Sequence, residues 1–163
     1  MKKIFVLFAF MLCAMSLQAQ TKYAGKYFTL TTPSSAWEAV VPDAGNDGQS
    51  GIFFTTTADG ESVHTGIVIV AAEGVFELED YLDYQIEQGN PVYDGAKFTE
   101  LEDGSFLGYE SVTQDFTNSY DGQKYVGAVA TFATEKSTYF VIVYSVDKNA
   151  DFASILEKVV IHK

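Results

Sequence analysis

Apolar and polar positions alternate along much of this chain, the period-two signature of strands with one buried face. Tyr27-Phe28-Thr29-Leu30-Thr31 is the first such run, and Pro33, which has no N–H for a ladder, closes it. Gly51 to Thr57 is rich in β-branched and aromatic residues, and Asp59-Gly60 follows as a turn. Val63 to Ala71 holds Ile67-Val68-Ile69-Val70, apolar at both parities. A strand of that kind is covered on both faces or lies centrally in its sheet.

The period changes over residues 76–88. Leu78, Tyr81, Leu82 and Ile86 recur at three- and four-residue spacing, with Glu79, Asp80, Asp83 and Glu87 off that stripe, which predicts an amphipathic helix. Gly89-Asn90-Pro91 ends it, because Gly suits a left-handed C-terminal cap and Pro cannot continue a helix. Strands resume at Lys97 to Leu101 and Ser105 to Gln114 around an expected turn at Asp103-Gly104. Asp121-Gly122 joins Phe116–Tyr120 to Lys124–Thr134, and Tyr139 to Tyr144 forms the strongest strand. Asn149 is placed to cap a short final helix whose apolar face is Phe152, Ile155, Leu156 and Val159. Consecutive hairpins imply an α+β domain: one mainly antiparallel sheet of six or seven strands packed by two helices.

The N-terminus reads as an export signal. Met1-Lys2-Lys3 is a positive start, Ile4 to Leu12 an apolar run too short to span a membrane, and Leu17-Gln18-Ala19-Gln20 a cleavage region. Cleavage after Ala19 leaves residues 20–163 as a single periplasmic or secreted domain, with no integral membrane segment. It also removes Cys13, the one Cys, so the mature chain has neither a disulfide nor a thiol nucleophile.

Composition narrows the function classes. The chain carries 22 Asp+Glu against 10 basic residues, all Lys, for a formal charge of −12. A nucleic-acid partner needs clustered Lys or Arg, so that class is excluded. With 47% hydrophobic residues the chain builds its core without staples.

The opening strand ending in Pro33, Trp37 shortly after, the hairpin, the central helix, the meander with Gly108-Tyr109, the Tyr139–Tyr144 strand and the closing helix together resemble the PsbP-like family. These are the photosystem extrinsic proteins and their bacterial relatives. The resemblance covers nearly all of residues 22–163 and implies an α/β/α sandwich. It also implies an accessory or binding role, and it carries no functional residue onto this chain. Trp37 is expected to lock its loop onto the core.

Catalytic and metal chemistry find little support. His64 opens a strand and reads as a hydrogen-bonded strand end, while His162 sits where chains usually fray. There is no Gly-x-Ser-x-Gly setting, no phosphate loop and no zinc ligand set. Asp43-Ala44-Gly45-Asn46-Asp47-Gly48 lacks calcium-loop ligands at positions three and twelve and reads as a polar turn. No cofactor is expected.

The sharper feature is the helix. Glu79, Asp83 and Glu87 stack at i, i+4, i+8 with no Lys between residues 74 and 96. Such a face is either simply solvated or kept for a basic partner or cation. Six tyrosines, Tyr81, Tyr84, Tyr93, Tyr109, Tyr120 and Tyr125, lie on or near loops and strand ends, where they seal a core edge or meet a ligand. Glu79, Asp83, Glu87 and Tyr84 therefore make the candidate partner-binding face, for a protein partner or a small ligand. The reading is a non-enzymatic binding or accessory protein of the cell envelope. The alternative is a hydrolase built on two carboxylates. If the leader reading holds, the intact mass of the exported protein corresponds to a start within a few residues of Gln20, and a chelator leaves its unfolding midpoint unchanged.

Overall fold

The computed structural model describes residues 22–41, 48–90 and 92–162. The expected leader, the expected polar turn from Asp43 to Asp47, and Pro91 lie outside these residues. Eleven strands and two helices follow in the described chain: β1 (Lys22–Ala24), β2 (Phe28–Thr31), β3 (Glu38–Val40), β4 (Gly48–Thr56), β5 (Val63–Glu73), α1 (Leu78–Glu87), β6 (Lys97–Phe98), β7 (Glu102–Phe106), β8 (Tyr109–Tyr120), β9 (Gln123–Ala133), β10 (Ser137–Ser145), α2 (Phe152–Leu156) and β11 (Val159–Ile161).

Eight strands form one antiparallel sheet in the order β3-β4-β5-β10-β9-β8-β6, with β7 also paired to β8. A separate small sheet has the order β1-β2-β11. The α+β class and the antiparallel sheet agree with the sequence pattern, and the strand count exceeds it. The short strands β1, β3 and β11 make up the excess, and two local assignments also differ. Asp103 and Gly104 lie inside β7, and the turn falls instead at Leu107-Gly108, both at positive φ (52° and 82°). That backbone suits the tight turn of a twisted hairpin, and Leu107 adopts it without the usual Gly or Asn. At the C-terminus, α2 has five residues, and its cap is Asp151, whose carboxylate accepts from Ser154 N–H at 3.1 Å, rather than Asn149. Val159 starts β11 and pairs with Leu30 of β2. The expected turns at Asp59-Gly60 and Asp121-Gly122 are present, with Gly60, Asp121 and Gly122 all at positive φ.

The large sheet is covered on both faces, but by different layers. Ile67, Ile69 and Ala71 of β5 and Tyr139, Val141 and Val143 of β10 point to the small sheet, where Phe28, Leu30, Val159 and Ile155 of α2 meet them. Val68, Phe140, Ile142 and Tyr144 point the other way, toward Tyr81 and Leu82 of α1. So the second layer on one face is mainly a sheet, where the sequence suggested a helix. Tyr139 ties the layers together, because its hydroxyl donates to the Tyr27 carbonyl across the core at 3.1 Å. Its ring stacks on Phe132 at 5.0 Å, and Tyr109 stacks on the far side of Phe132 at 5.3 Å. Trp37 is partly rather than fully buried and packs against the small-sheet side of this core.

Tyr144 shows how tightly the other face is fitted. Its strand partners are Gly66 on β5 and Gly127 on β9, and a Cβ at Gly66 would run into its ring. Gly66 leaves the space that the ring fills, and Gly127 leaves room for Phe116 in the same way. Burial also sets the titration of this core. Desolvation raises the hydroxyl pKa of both Tyr93 and Tyr139 from 10.0 to about 12. The unfolded chain loses these protons near pH 10, whereas the folded chain holds them toward pH 12, so their stabilisation is complete below pH 10 and lost as pH rises through that window. We therefore expect the thermal midpoint to fall steeply between about pH 10 and 12. Tyr93→Phe and Tyr139→Phe should each flatten that slope, as read by calorimetry across the window.

Candidate functional site

The surface that stands out is the loop leaving β5 together with the outer face of α1. Gly74 has a φ of +107°, a conformation L side chains rarely adopt, and turns the chain out of the strand. The loop is clamped from below by Thr138, which is fully buried on β10. Its hydroxyl donates to the Gly74 carbonyl at 2.9 Å and accepts from Phe76 N–H at 3.0 Å. Gly74 N–H in turn donates to the Lys136 carbonyl at 2.8 Å. Backbone held this way presents Val75 and Phe76 to solvent at 60% and 47% exposure.

Helix α1 then buries Tyr81 and Leu82, with Leu78 and Ile86 packed at the margin, the stripe its spacing predicted. Its far end is locked as well. Gly89, at φ +75°, donates its N–H to the Ile86 carbonyl, and the Tyr93 hydroxyl donates to the Gln85 carbonyl at 2.8 Å. Asn118 of β8 donates to the Val92 carbonyl at 2.8 Å. Both ends of the helix are thus pinned to the large sheet.

Three rings line up on this rigid element. Phe76 stacks on Tyr81 at 5.5 Å with 9° between planes, and Tyr81 faces Tyr84 at 6.4 Å and 26°. Tyr81 is the buried middle rung, while Phe76 and Tyr84, the latter 53% exposed, are open outer rungs. Beside them Glu77, Glu79, Asp80, Asp83 and Glu87 are all exposed. Helical spacing puts Asp80 and Glu87 one turn either side of Tyr84. Among the described residues the ion pair found is Lys26 with Glu73, so the described structure supplies none of these carboxylates with a cation. The helix dipole offsets Glu79 and Asp80 in the first turn, but no basic residue occupies the last turn and Glu87 meets the negative end.

The structure therefore brings all four candidate residues, Glu79, Asp83, Glu87 and Tyr84, to one exposed face. It adds Phe76 and Val75, which lie outside the helical stripe and which the sequence pattern did not single out. A Gly directly after a long strand was the available signal that the chain turns outward there. The other tyrosines divide: Tyr93 and Tyr125 are buried, Tyr109 is half-buried, and Tyr120 is 40% exposed at the β8–β9 turn.

The histidines serve structure in the observed contacts. His64 Nδ1 lies 2.9 Å from Thr65 Oγ1, which is 2.7 Å from Ser145 Oγ. His162 is not frayed, contrary to its position near the end of the chain. Its N–H donates to the Tyr27 carbonyl at 2.8 Å, and its ring bridges Thr29 Oγ1 and the Lys26 carbonyl. A surface cavity of about 480 Å³ lies between the β7–β8 and β9–β10 turns, lined by Tyr109, Ala133, Thr134, Glu135 and Lys136. Among the described residues no group of three or more His, Cys, Asp or Glu is placed to hold a metal, and no helix is long and apolar enough to cross a membrane.

No family model matches the chain, and no curated protein does. Solved structures do resemble it. Cyanobacterial PsbP (CyanoP) from Synechocystis sp. aligns at 10% identity and a TM-score of 0.54, over 91% of this chain and 96% of that one. LpqN of Mycobacterium tuberculosis, described as involved in cell envelope biogenesis, aligns at 14% identity and 0.53, over 88% and 91%. A Bacteroides thetaiotaomicron protein aligns at 12% and 0.51 over 91% of this chain, which spans 50% of that protein's length. Likeness at this level is a likeness of fold, and the chain has a PsbP-like fold.

The acidic stripe yields a direct test of its solvation. Asp83→Lys replaces two like-charge contacts, to Glu79 and Glu87, with attractive ones, each worth ~0.2–0.5 kcal/mol. The thermal midpoint of the variant should rise; a fall would show that Asp83 makes a contact the fold needs.

Proposed function

We propose that this chain is a non-catalytic binding or accessory protein of the cell envelope, periplasmic or secreted, whose working surface is the outer face of α1 with the loop before it. The observation that carries the reading is the stacked run Phe76–Tyr81–Tyr84, whose two outer rings are open to solvent on backbone clamped at both ends. Exposed aromatic rings on rigid backbone lose little conformational freedom when a partner covers them, and such rings dominate binding energy at protein interfaces. The apolar leader supports an extracytoplasmic location, and LpqN, a structural neighbour, is described as involved in cell envelope biogenesis. The hydrolase alternative gains no comparable support, because the described cavity is lined by a single carboxylate, Glu135, where that chemistry needs two.

The test is site-specific photocrosslinking in the native cell envelope. A photoreactive residue in place of Tyr84 should give discrete protein adducts, and the same residue in place of Tyr120, an exposed ring on the β8–β9 turn, should give none. Equal adducts from both positions, or none from either, would overturn the assignment of α1. Loss of a hydrolytic activity in Glu135→Gln would instead favour the enzyme.

A further inference from the structure

The protein already contains one held cation, and it shows how the α1 face can hold another. Lys26 Nζ sits 3.0 Å from the Glu73 carboxylate and 4.8 Å above the Tyr27 ring centroid. Lys26 Nζ also donates to the Tyr27 hydroxyl at 3.0 Å, and that hydroxyl donates to the same carboxylate at 3.2 Å, so one acid and one tyrosine share the ammonium. That contact holds Glu73 below the usual carboxylate range and Lys26 above its usual value. Three residues further on, the α1 face repeats both ingredients without the cation. Tyr84 lies one helical turn from Asp80 and from Glu87, the open Phe76 ring belongs to the same stack, and among the described residues none of these acids forms an ion pair.

We propose that the occupant of this face is an arginine-bearing basic segment of another protein. The inference rests on the binding-protein reading and names its partner's chemistry. A planar guanidinium can lie flat on an exposed ring while its edge donates to neighbouring carboxylates, a combination that a compact ammonium makes less well. Here the ring and the acids are neighbours on one helix, as that geometry requires. A second copy of this chain does not fit. It contains no Arg, and it would bring a formal charge of −12 against a surface of the same sign. A neutral apolar partner would leave the desolvated carboxylates at the rim unpaired.

The probe is a short synthetic peptide alternating Arg and Gly, with a citrulline version of the same shape and no charge as its control. Binding to the exported protein is read by fluorescence anisotropy. The Arg peptide should bind, weakening with added salt, and the citrulline peptide should not. Tyr84→Ala and Asp80→Asn should each weaken binding roughly tenfold, with the circular dichroism spectrum unchanged. Glu102→Gln, which removes an exposed acid on β7 away from the rings, should leave it unaltered. Equal loss in Glu102→Gln would show diffuse attraction to an acidic protein and overturn the proposal, as would an Arg peptide that does not bind. Adducts at position 84 in the envelope together with failure of the Arg peptide would leave the binding-protein reading standing and remove the cationic partner. Failure of both would remove both.

Discussion

All nine residues of β10 are buried, and β5 beside it buries most of its length. No other arrangement in the molecule is as demanding, because a strand with side chains on both faces and water on neither requires a layer above and a layer below. The chain meets this with unlike layers. One is the three-stranded sheet with α2, which covers the Tyr139 side. The other is α1, which covers the Tyr144 side. The extremes of the chain are drawn into the first layer: β1 and β2 come from its start and β11 from its end. His162 is ordered for the same reason, since its backbone and ring bind the Lys26–Thr29 segment of that small sheet.

The same constraint explains why the candidate surface is rigid. Helix α1 is the one described helix on its face of the sheet, where Tyr93 and its neighbours join it, and the segments at both ends are fastened to sheet strands by Thr138 and Asn118. With the inner face committed to the core, the outer face is free to carry groups that add nothing to stability. Phe76 and Tyr84 are such groups, apolar and half in water, and the acids around them repel one another. A surface that is costly on two counts, exposed aromatic area and stacked like charge, is one whose make-up folding stability does not explain.

Electrostatics in this protein are otherwise sparing. Among the described residues one ion pair is formed, and it is exposed, so charge pairing contributes little to holding the fold. Stability comes from apolar burial on both sheet faces and from tyrosine hydroxyls that donate to backbone carbonyls, as Tyr139, Tyr93 and Tyr125 do. The large acidic excess then affects solubility and association more than folding.

Local features were legible wherever one short segment decides them. The period of Leu78, Tyr81, Leu82 and Ile86 identified the helix and its buried stripe, and the double-parity run at Ile67–Val70 announced a central strand. Asp121-Gly122 marked a hairpin, and the acidic face of Glu79, Asp83 and Glu87 emerged on the exposed side of the helix. Features that depend on distant partners were not legible. Asp103-Gly104 has the chemistry of a turn, yet pairing of β7 along β8 in its observed register places the turn at Leu107-Gly108. Val159 fits a helical stripe, yet the free side of β2 recruits it as a strand. Phe76 drew no notice in the sequence, yet the Thr138 clamp holds it outward. The sequence by itself determined the long central strands, the central helix and which helix face carries charge, because side-chain spacing acts within a few residues. Tertiary structure decided the register, the small second sheet and the outward turn of the aromatic loop, because those depend on hydrogen bonds between strands far apart along the chain.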